Sequence, residues 1–219
     1  YLVNWSNDGE TLSNFKGSNI RNRSYHFKEG ITWSTTSGSA FAGRKAPTGY
    51  LFDSKGCMAF SYGGISLEKL LAQMNAVTFN SFLDIITPTL DFNPGPVGNV
   101  PIEEVNNNVS EELVIENISA SKDDWDSFEN SWDFKKHPLL RNISTISEAF
   151  AQWQAECDDR FNKLKANEEE LNHIFIDIYG LQDELTPEVE DKDVTVRKAD
   201  LQRDTKSMLS YAVGCMFGR

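Results

Sequence analysis

Between Gly9 and Gly63 the chain alternates short apolar runs with turn residues. Gly9, Gly17, Gly30, Gly38, Gly43, Gly49, Gly56 and Gly63 punctuate aromatic and β-branched stretches, the pattern of strands joined by turns. Ile31-Thr32-Trp33-Ser34, Gly49-Tyr50-Leu51-Phe52 and the run from Cys57 to Tyr62 are the expected strands. The period then changes. Ser66 is an expected N-cap, and Leu67, Leu70, Leu71 and Met74 recur at helical spacing. A second short helix is expected to carry Phe79, Phe82, Leu83 and Ile86 on one face. Pro88, Pro94, Pro96 and Pro101 predict an extended passage after it.

The second half has a longer period. Asn106-Asn107-Asn108 reads as a linker, and the stretch from Ser110 to Trp132 is acidic. Trp125, Phe128 and Trp132 stand at helical spacing on one face. Core packing is the favoured reading of these rings, and an exposed partner-binding motif is the other. Thr145 followed by Glu148 has the capping-box pattern. Ile146, Phe150, Trp153, Cys157, Phe161, Leu164, Leu171, Phe175 and Ile178 then recur in steps of mostly three and four, and Gly180 is a natural terminator. Such a helix would be roughly 50 Å long at 1.5 Å per residue. Its narrow apolar stripe needs a partner. Residues 194–217, with Leu201, Met208, Leu209, Ala212, Val213 and Met216, are expected to supply it after a turn near Thr186-Pro187. The expected fold is therefore α+β. A mixed α/β domain over residues 1–105 precedes an acidic linker with short helices over 106–143. A long antiparallel helical hairpin, a spacer or projecting arm, follows over 144–219.

Charge changes this picture. The net charge is −12, yet residues 1–108 carry only −1 of it. Residues 13–55 hold Lys16, Arg21, Arg23, Lys28, Arg44, Lys45 and Lys55 against Glu29 and Asp53 alone. A locally basic loop surface is one reading, and a surface for a polyanion is the other. The second half is too acidic to lie along nucleic acid.

Candidate chemistry is sparse. Cys57, Cys157 and Cys215 are widely spaced, with no Cys-x-x-Cys pair, and a reduced, cytoplasmic setting is expected. His26, His137 and His173 have no second ligand at metal spacing, so no metal site is expected. There is no Gly-x-Ser-x-Gly elbow and no phosphate-binding loop ending in Gly-Lys-Ser/Thr. No apolar run is long enough to span a bilayer. Asn93-Pro94-Gly95-Pro96 superficially resembles the Asn-Pro-Pro-aromatic loop of amino-methyltransferases, but Pro96 cannot stack on a flipped base. No complete active site, and no strand with a Gly-rich turn fit for an adenosyl cofactor, is found. The chain opens on Tyr1 and is read as a piece of a longer protein.

Several phrases carry a family resemblance. Phe27-Lys28-Glu29-Gly30-Ile31-Thr32-Trp33-Ser34, and Pro47-Thr48-Gly49-Tyr50-Leu51-Phe52-Asp53 with Gly56 following, resemble the target-recognition region of large single-chain DNA adenine-N6 methyltransferases. Pro88-Thr89-Leu90-Asp91-Phe92, with Gly95, Val97, Val100 and Pro101, is similar to the end of that region. Here the chain departs from the family's usual Pro-Thr-Leu-Asn-Phe-then-Gly frame by placing Asn93-Pro94 before the glycine and Pro96 after it. Ser121 to Phe128, Ser131-Trp132-Asp133-Phe134, Ile174 to Leu185 and the closing Ser210 to Arg219 resemble the PglX-type methyltransferases of the BREX phage-exclusion system. They are similar also to type II restriction enzymes with a fused methylase.

The resemblance implies a parent that transfers a methyl group from S-adenosylmethionine to adenine N6 in a defined sequence of double-stranded DNA. Its catalytic domain and cofactor site would lie upstream of Tyr1, and this chain would hold a target-recognition region and a helical spacer, with no cofactor of its own. Arg21, Arg23, Lys28, Arg44 and Lys45 are the candidates for phosphate or guanine contacts. Tyr25 and Trp33 could pack beside the duplex or wedge it; for Trp33 a core position is the equal alternative. The competing reading is an acidic helical interaction module that docks other defence-system proteins.

Overall fold

The computed structural model describes residues 2–89, 91–103 and 109–218. The expected linker at 106–108 and the boundary after residue 105 lie outside the described residues. The order is α1 (Ser6–Ser13), a 3-10 turn (Arg23–Tyr25), β1 (Gly30–Ser34), β2 (Arg44–Ala46), β3 (Gly56–Ala59), α2 (Leu67–Asn75), α3 (Val77–Ile86), α4 (Pro94–Gly98), α5 (Glu111–Asp126), α6 (Ile146–Tyr179) and α7 (Leu201–Met216). The class is α+β, as the periodicity implies.

The three strands form one antiparallel sheet in the order β2-β1-β3. Ile31 and Trp33 face inward and are buried with Cys57, the partner of Trp33. Against them pack Leu67, Leu70, Leu71 and Met74 of α2 with Phe79 and Leu83 of α3. Ser66 caps α2, its hydroxyl accepting from the Lys69 N–H at 3.3 Å. The β1–β2 loop is clasped to these helices. Asn75 holds the Gly43 N–H and carbonyl at 2.7 and 3.1 Å, and Asn80 accepts the Phe41 N–H at 2.9 Å.

Two local expectations are corrected. Residues 49–52 form a turn and irregular chain, and the strand is Arg44–Ala46 instead. Gly49 and Tyr50 are drawn away from the sheet because they pair with Phe27: the Phe27 N–H reaches the Tyr50 carbonyl at 3.1 Å, and the Gly49 N–H reaches the Phe27 carbonyl at 3.0 Å. The proline passage is not wholly extended, since Pro94 opens the short helix α4. Its fixed φ and missing N–H suit a first helical turn.

The α6 expectation holds in detail. The helix runs 34 residues from Ile146 to Tyr179. Thr145 accepts the Glu148 N–H at 3.2 Å and donates to its carboxylate at 3.0 Å. Gly180 sits at φ 68°, with its N–H on the Asp177 carbonyl and the Leu181 N–H on that of Ile176, a Schellman ending.

The partner of α6 is where expectation and structure part. The chain does run back antiparallel along α6, but residues 181–200 return as a non-helical limb, and only α7 is helical. Pro187 accepts from Asn172 at 3.1 Å, Lys165 pairs with Asp191 at 2.8 Å, and Val194 and Val196 bury against Phe161 and Leu164. Helix α7 meets the first part of α6, through Asp204 on Trp153 and Met208 against the cluster of Leu139, Trp153 and Cys157. Leu201, Leu209, Val213 and Met216, expected to face α6, are exposed. Of the expected stripe Met208 does pack inward, and it is joined by Asp204, which accepts from the buried Trp153 indole, and by Tyr211, whose ring meets Phe134 and His137.

Helix α6 also does not project freely. Leu171 and Phe175 bury against Ala72 of α2, Ala76 at the α2–α3 junction and Val114 of α5. Asn172 accepts the Val77 N–H at 2.9 Å, supplying in trans the cap that Ala76 cannot give α3. Helix α5 ends at Asp126, before the expected aromatic face is complete. Core packing of its rings fails for Trp125, which is half exposed, and for Trp132, which is 82% exposed. Phe128 is covered instead by the Arg197 guanidinium, 3.4 Å from its ring centre.

Candidate nucleic-acid interface

The pleat of the sheet sorts the sequence's cations. Arg44 pairs with Thr32 and so stands on the outer face, with Ser34, whose hydroxyl it reaches at 3.1 Å. Lys45, one residue on, pairs with buried Ile31 and turns to the helical side. There its ammonium meets Glu68 at 2.6 Å and Glu29 at 4.0 Å. That ion pair pulls the Glu68 carboxyl below its usual range, so the Lys45 charge is already spent on holding β2 to α2.

Arg23 is likewise engaged. It donates to the Asp8 carbonyl and carboxylate at 3.0 and 2.9 Å and to Ser13 at 2.6 Å, and lies over Trp5 at 5.7 Å. It pins α1 to the 3-10 turn. Arg21 is exposed; its Nε donates to Asn19 at 3.3 Å, and its carbonyl meets His26 Nε2 at 2.9 Å. Lys28 is exposed, with its ammonium 5.4 Å from the Tyr25 ring. Trp33 is corrected to the core: it is 3% exposed, and its indole N–H donates to the Phe92 carbonyl at 2.8 Å. A ring enclosed on both faces does not reach a duplex. Of the six candidate residues, Arg21, Lys28 and Arg44 are the ones left at the surface with no carboxylate partner among the described residues.

A second aromatic cluster underlies this surface. Trp5, His26, Phe27, Phe52, Phe60 and Tyr25 form a chain of ring contacts with centroids 4.8–5.9 Å apart between neighbours. Asp53 starts β3 by accepting the Lys55 and Gly56 N–H groups, both at 2.8 Å, which holds its carboxyl below the usual range. Tyr62 and Tyr50, which the sequence reading assigned to strands, stand out in solvent instead. The signal that could have flagged Tyr62 is the pair Gly63-Gly64 directly after it.

Among the described residues no cluster of three or more His, Cys, Asp or Glu is disposed to hold a metal. Cys157 is fully buried, and burial pushes its thiol up to about 11. His137 is buried, its Nδ1 accepting the Leu139 N–H at 3.2 Å. The depression lined by Asp200, Leu201, Thr205 and Lys206 is open to solvent. No helix of the described residues is long and apolar enough to cross a membrane. Among the described residues the sheet is antiparallel throughout, with no parallel strand running into a helix.

No family-level sequence description matches the chain. Along its whole length, though, it is homologous to adenine-specific methyltransferases, in agreement with the resemblance of its phrases. It is 50% identical over 232 aligned residues to the adenine-specific methyltransferase PglX of Lacticaseibacillus casei (strain Zhang). It is 33% identical over 238 residues to the adenine-specific methyltransferase BrxX of Escherichia coli O9:H4 (strain HS). The alignments take in 100% of this chain and 19% of each relative, so the chain spans about a fifth of their length.

Proposed function

We propose that this chain is the DNA-reading segment of a site-specific adenine-N6 methyltransferase of the BREX phage-defence type. The reaction, its S-adenosylmethionine and its catalytic domain belong to the rest of that enzyme. The observation that carries the reading is Arg44 on the outer face of the sheet, with no carboxylate partner among the described residues, in a chain of net charge −12. A guanidinium held in this way offers the planar fork that reads guanine or clamps phosphate. Arg21 and Lys28 add charge on the same N-terminal unit. The domain division follows from this reading: residues 1–105 read DNA, 106–143 link, and 144–219 brace.

The test is a genome-wide map of N6-methyladenine in a host without other adenine methylases, expressing the full-length enzyme. Wild type is expected to methylate one defined motif. The Arg21→Ala/Lys28→Ala/Arg44→Ala variant should lose or relax that motif while remaining soluble, with about 1–3 kcal/mol of discrimination lost for each bidentate base contact removed. Full methylation of the same motif by the variant sinks the assignment of this surface.

A second reading is favoured by the exposure of Trp125, Trp132, Leu209, Val213 and Met216. These residues would dock other defence-system proteins on the acidic half. The two readings separate on salt. DNA binding should fall with a log–log slope of about 0.9 per phosphate contact, whereas apolar docking should not.

A further inference from the structure

From the strand register and the loops it aims outward, we infer that Tyr62 is a stacking contact on duplex DNA. This rests on the DNA-reading assignment above. Gly30 pairs with Ala46, the last residue of β2, and Ile31 pairs with Ala59, the last of β3. The segments before β1, after β2 and after β3 therefore leave from one end of the sheet. They bring Lys28, Tyr50 and Tyr62 to that end.

The three segments are joined there. Phe27 exchanges backbone hydrogen bonds with Gly49 and Tyr50, and Tyr25 packs on Phe60 with ring centres 4.8 Å apart. Tyr62 lies two residues beyond Phe60 and is 91% exposed. Its loop is closed at the base by the Ser61 hydroxyl, which donates to the Ile65 carbonyl. Gly63 follows at φ 86°, a left-handed conformation that would strain a side-chain-bearing residue, and its Cβ position is open space. A closed loop with glycines on one side keeps bulk away from the ring and presents its face.

Charge selects the occupant. Lys28 stands at this end of the sheet and Arg44 on its outer face, neither with a carboxylate partner among the described residues, so a polyanion is favoured over a basic or apolar partner. Every base offers a π-face, so a tyrosine ring contributes affinity without hydrogen-bond readout. An enzyme that extrudes an adenine also opens the stack beside it, which gives an aromatic ring a place to go.

The experiment measures binding of the full-length enzyme to a labelled duplex carrying its methylated motif, across a salt series. Tyr62→Ala is expected to bind about five- to a hundredfold more weakly at every salt concentration, the span covered by base–aromatic stacking. Its salt slope should equal that of wild type, since no counterion is involved. Tyr62→Phe and Tyr62→Trp should bind like wild type, and the thermal midpoint of all three variants should not move. Wild-type binding by Tyr62→Ala overturns the inference, as does a Tyr62→Phe variant as weak as the alanine. The Arg21→Ala/Lys28→Ala/Arg44→Ala enzyme serves as the reference. If it weakens with a shallower slope while Tyr62→Ala does not weaken, Tyr62 alone is misassigned. If neither variant weakens, the DNA-reading assignment of this surface falls with it.

Discussion

Arg44 and Lys45 are neighbours on one edge strand, yet the pleat gives them different physics. Arg44 keeps its charge for the outside. Lys45 shares its charge with Glu68, and both side chains are mostly covered, at 29% and 20% exposure. Partial burial puts such a pair between an exposed ion pair and a fully buried one, so Lys45→Ala should cost about 1–2 kcal/mol. The pH dependence follows from Glu68, whose carboxyl is lowered from 4.5 chiefly by the hydrogen bond from Lys45. A lowered folded pKa means the unfolded chain binds the proton first as pH falls. The contribution is complete above pH 4.5 and is lost as pH falls through the folded value. Urea denaturation of wild type and Lys45→Ala should differ at pH 7 and converge as pH falls through the folded value of Glu68. A difference that stays constant down the whole acid limb would show that packing of the lysine stem, not the ion pair, sets the effect. The same variant should leave the methylated motif of the full-length enzyme unchanged, because this charge faces the helices.

At the scale of elements, what was legible in the sequence was local. Helix α2 was readable because Ser66 caps it and four leucine and methionine positions share one face. Helix α6 was readable from both ends, through Thr145 with Glu148 and through Gly180. What was not legible depended on tertiary demands. Residues 49–52 have strand-like composition, but the backbone of Phe27 takes their hydrogen bonds. The limb at 181–200 stays non-helical because its anchors are set by spacing on α6: Pro187 on Asn172, Asp191 on Lys165, and Val194 and Val196 on Phe161 and Leu164. Covering α6 from Asn172 back to Phe161, about 16 Å at 1.5 Å per residue, was open to a helix or to an extended chain. Of the candidate interface, residue type alone exposed the cations. It could not tell which of them carboxylates would claim, since Asp8 and Glu68 are distant in sequence from Arg23 and Lys45. The ending of α6 gives a sharp test. Gly180→Ala would put a Cβ at φ 68°, a conformation that costs an L-residue roughly 1–2 kcal/mol. Gly180 has open space around its Cβ position, so backbone strain is the whole effect. Gly180→Asn, which tolerates the left-handed region, should recover part of that loss in thermal denaturation. Equal stability of the glycine, asparagine and alanine forms would mean that the Schellman turn does not limit α6.

Across the whole molecule, the acidic half is held together by buried charge as much as by apolar contact. Asp124 of α5 is 5% exposed and receives the Arg197 backbone N–H and Nε at 3.2 and 3.1 Å, with Arg160 of α6 at 3.9 Å. Arg160 lies over Trp153, whose indole N–H donates to buried Asp204 of α7 at 3.0 Å. Arg203 closes the set on Asp204 at 2.6 Å. One network thus ties α5, α6, the return limb and α7, where the apolar clusters are small. Removing one partner of a buried pair leaves the other charge without compensation, which costs far more than the pair itself is worth. Asp124→Asn is nearly isosteric but leaves the guanidiniums of Arg160 and Arg197 facing a neutral amide. It should destabilise the chain by about 3–5 kcal/mol, read as a lower urea midpoint. Because Arg197 anchors the limb, the loss should start there, with residues 181–200 becoming cleavable by protease under conditions where α2 and α3 remain protected. Glu190→Gln, which breaks an exposed pair with Lys192, is the matched control and should leave the midpoint essentially where it is in wild type. If Asp124→Asn shifts it no further than Glu190→Gln does, the network is incidental and the small apolar clusters alone hold α7 and the limb in place.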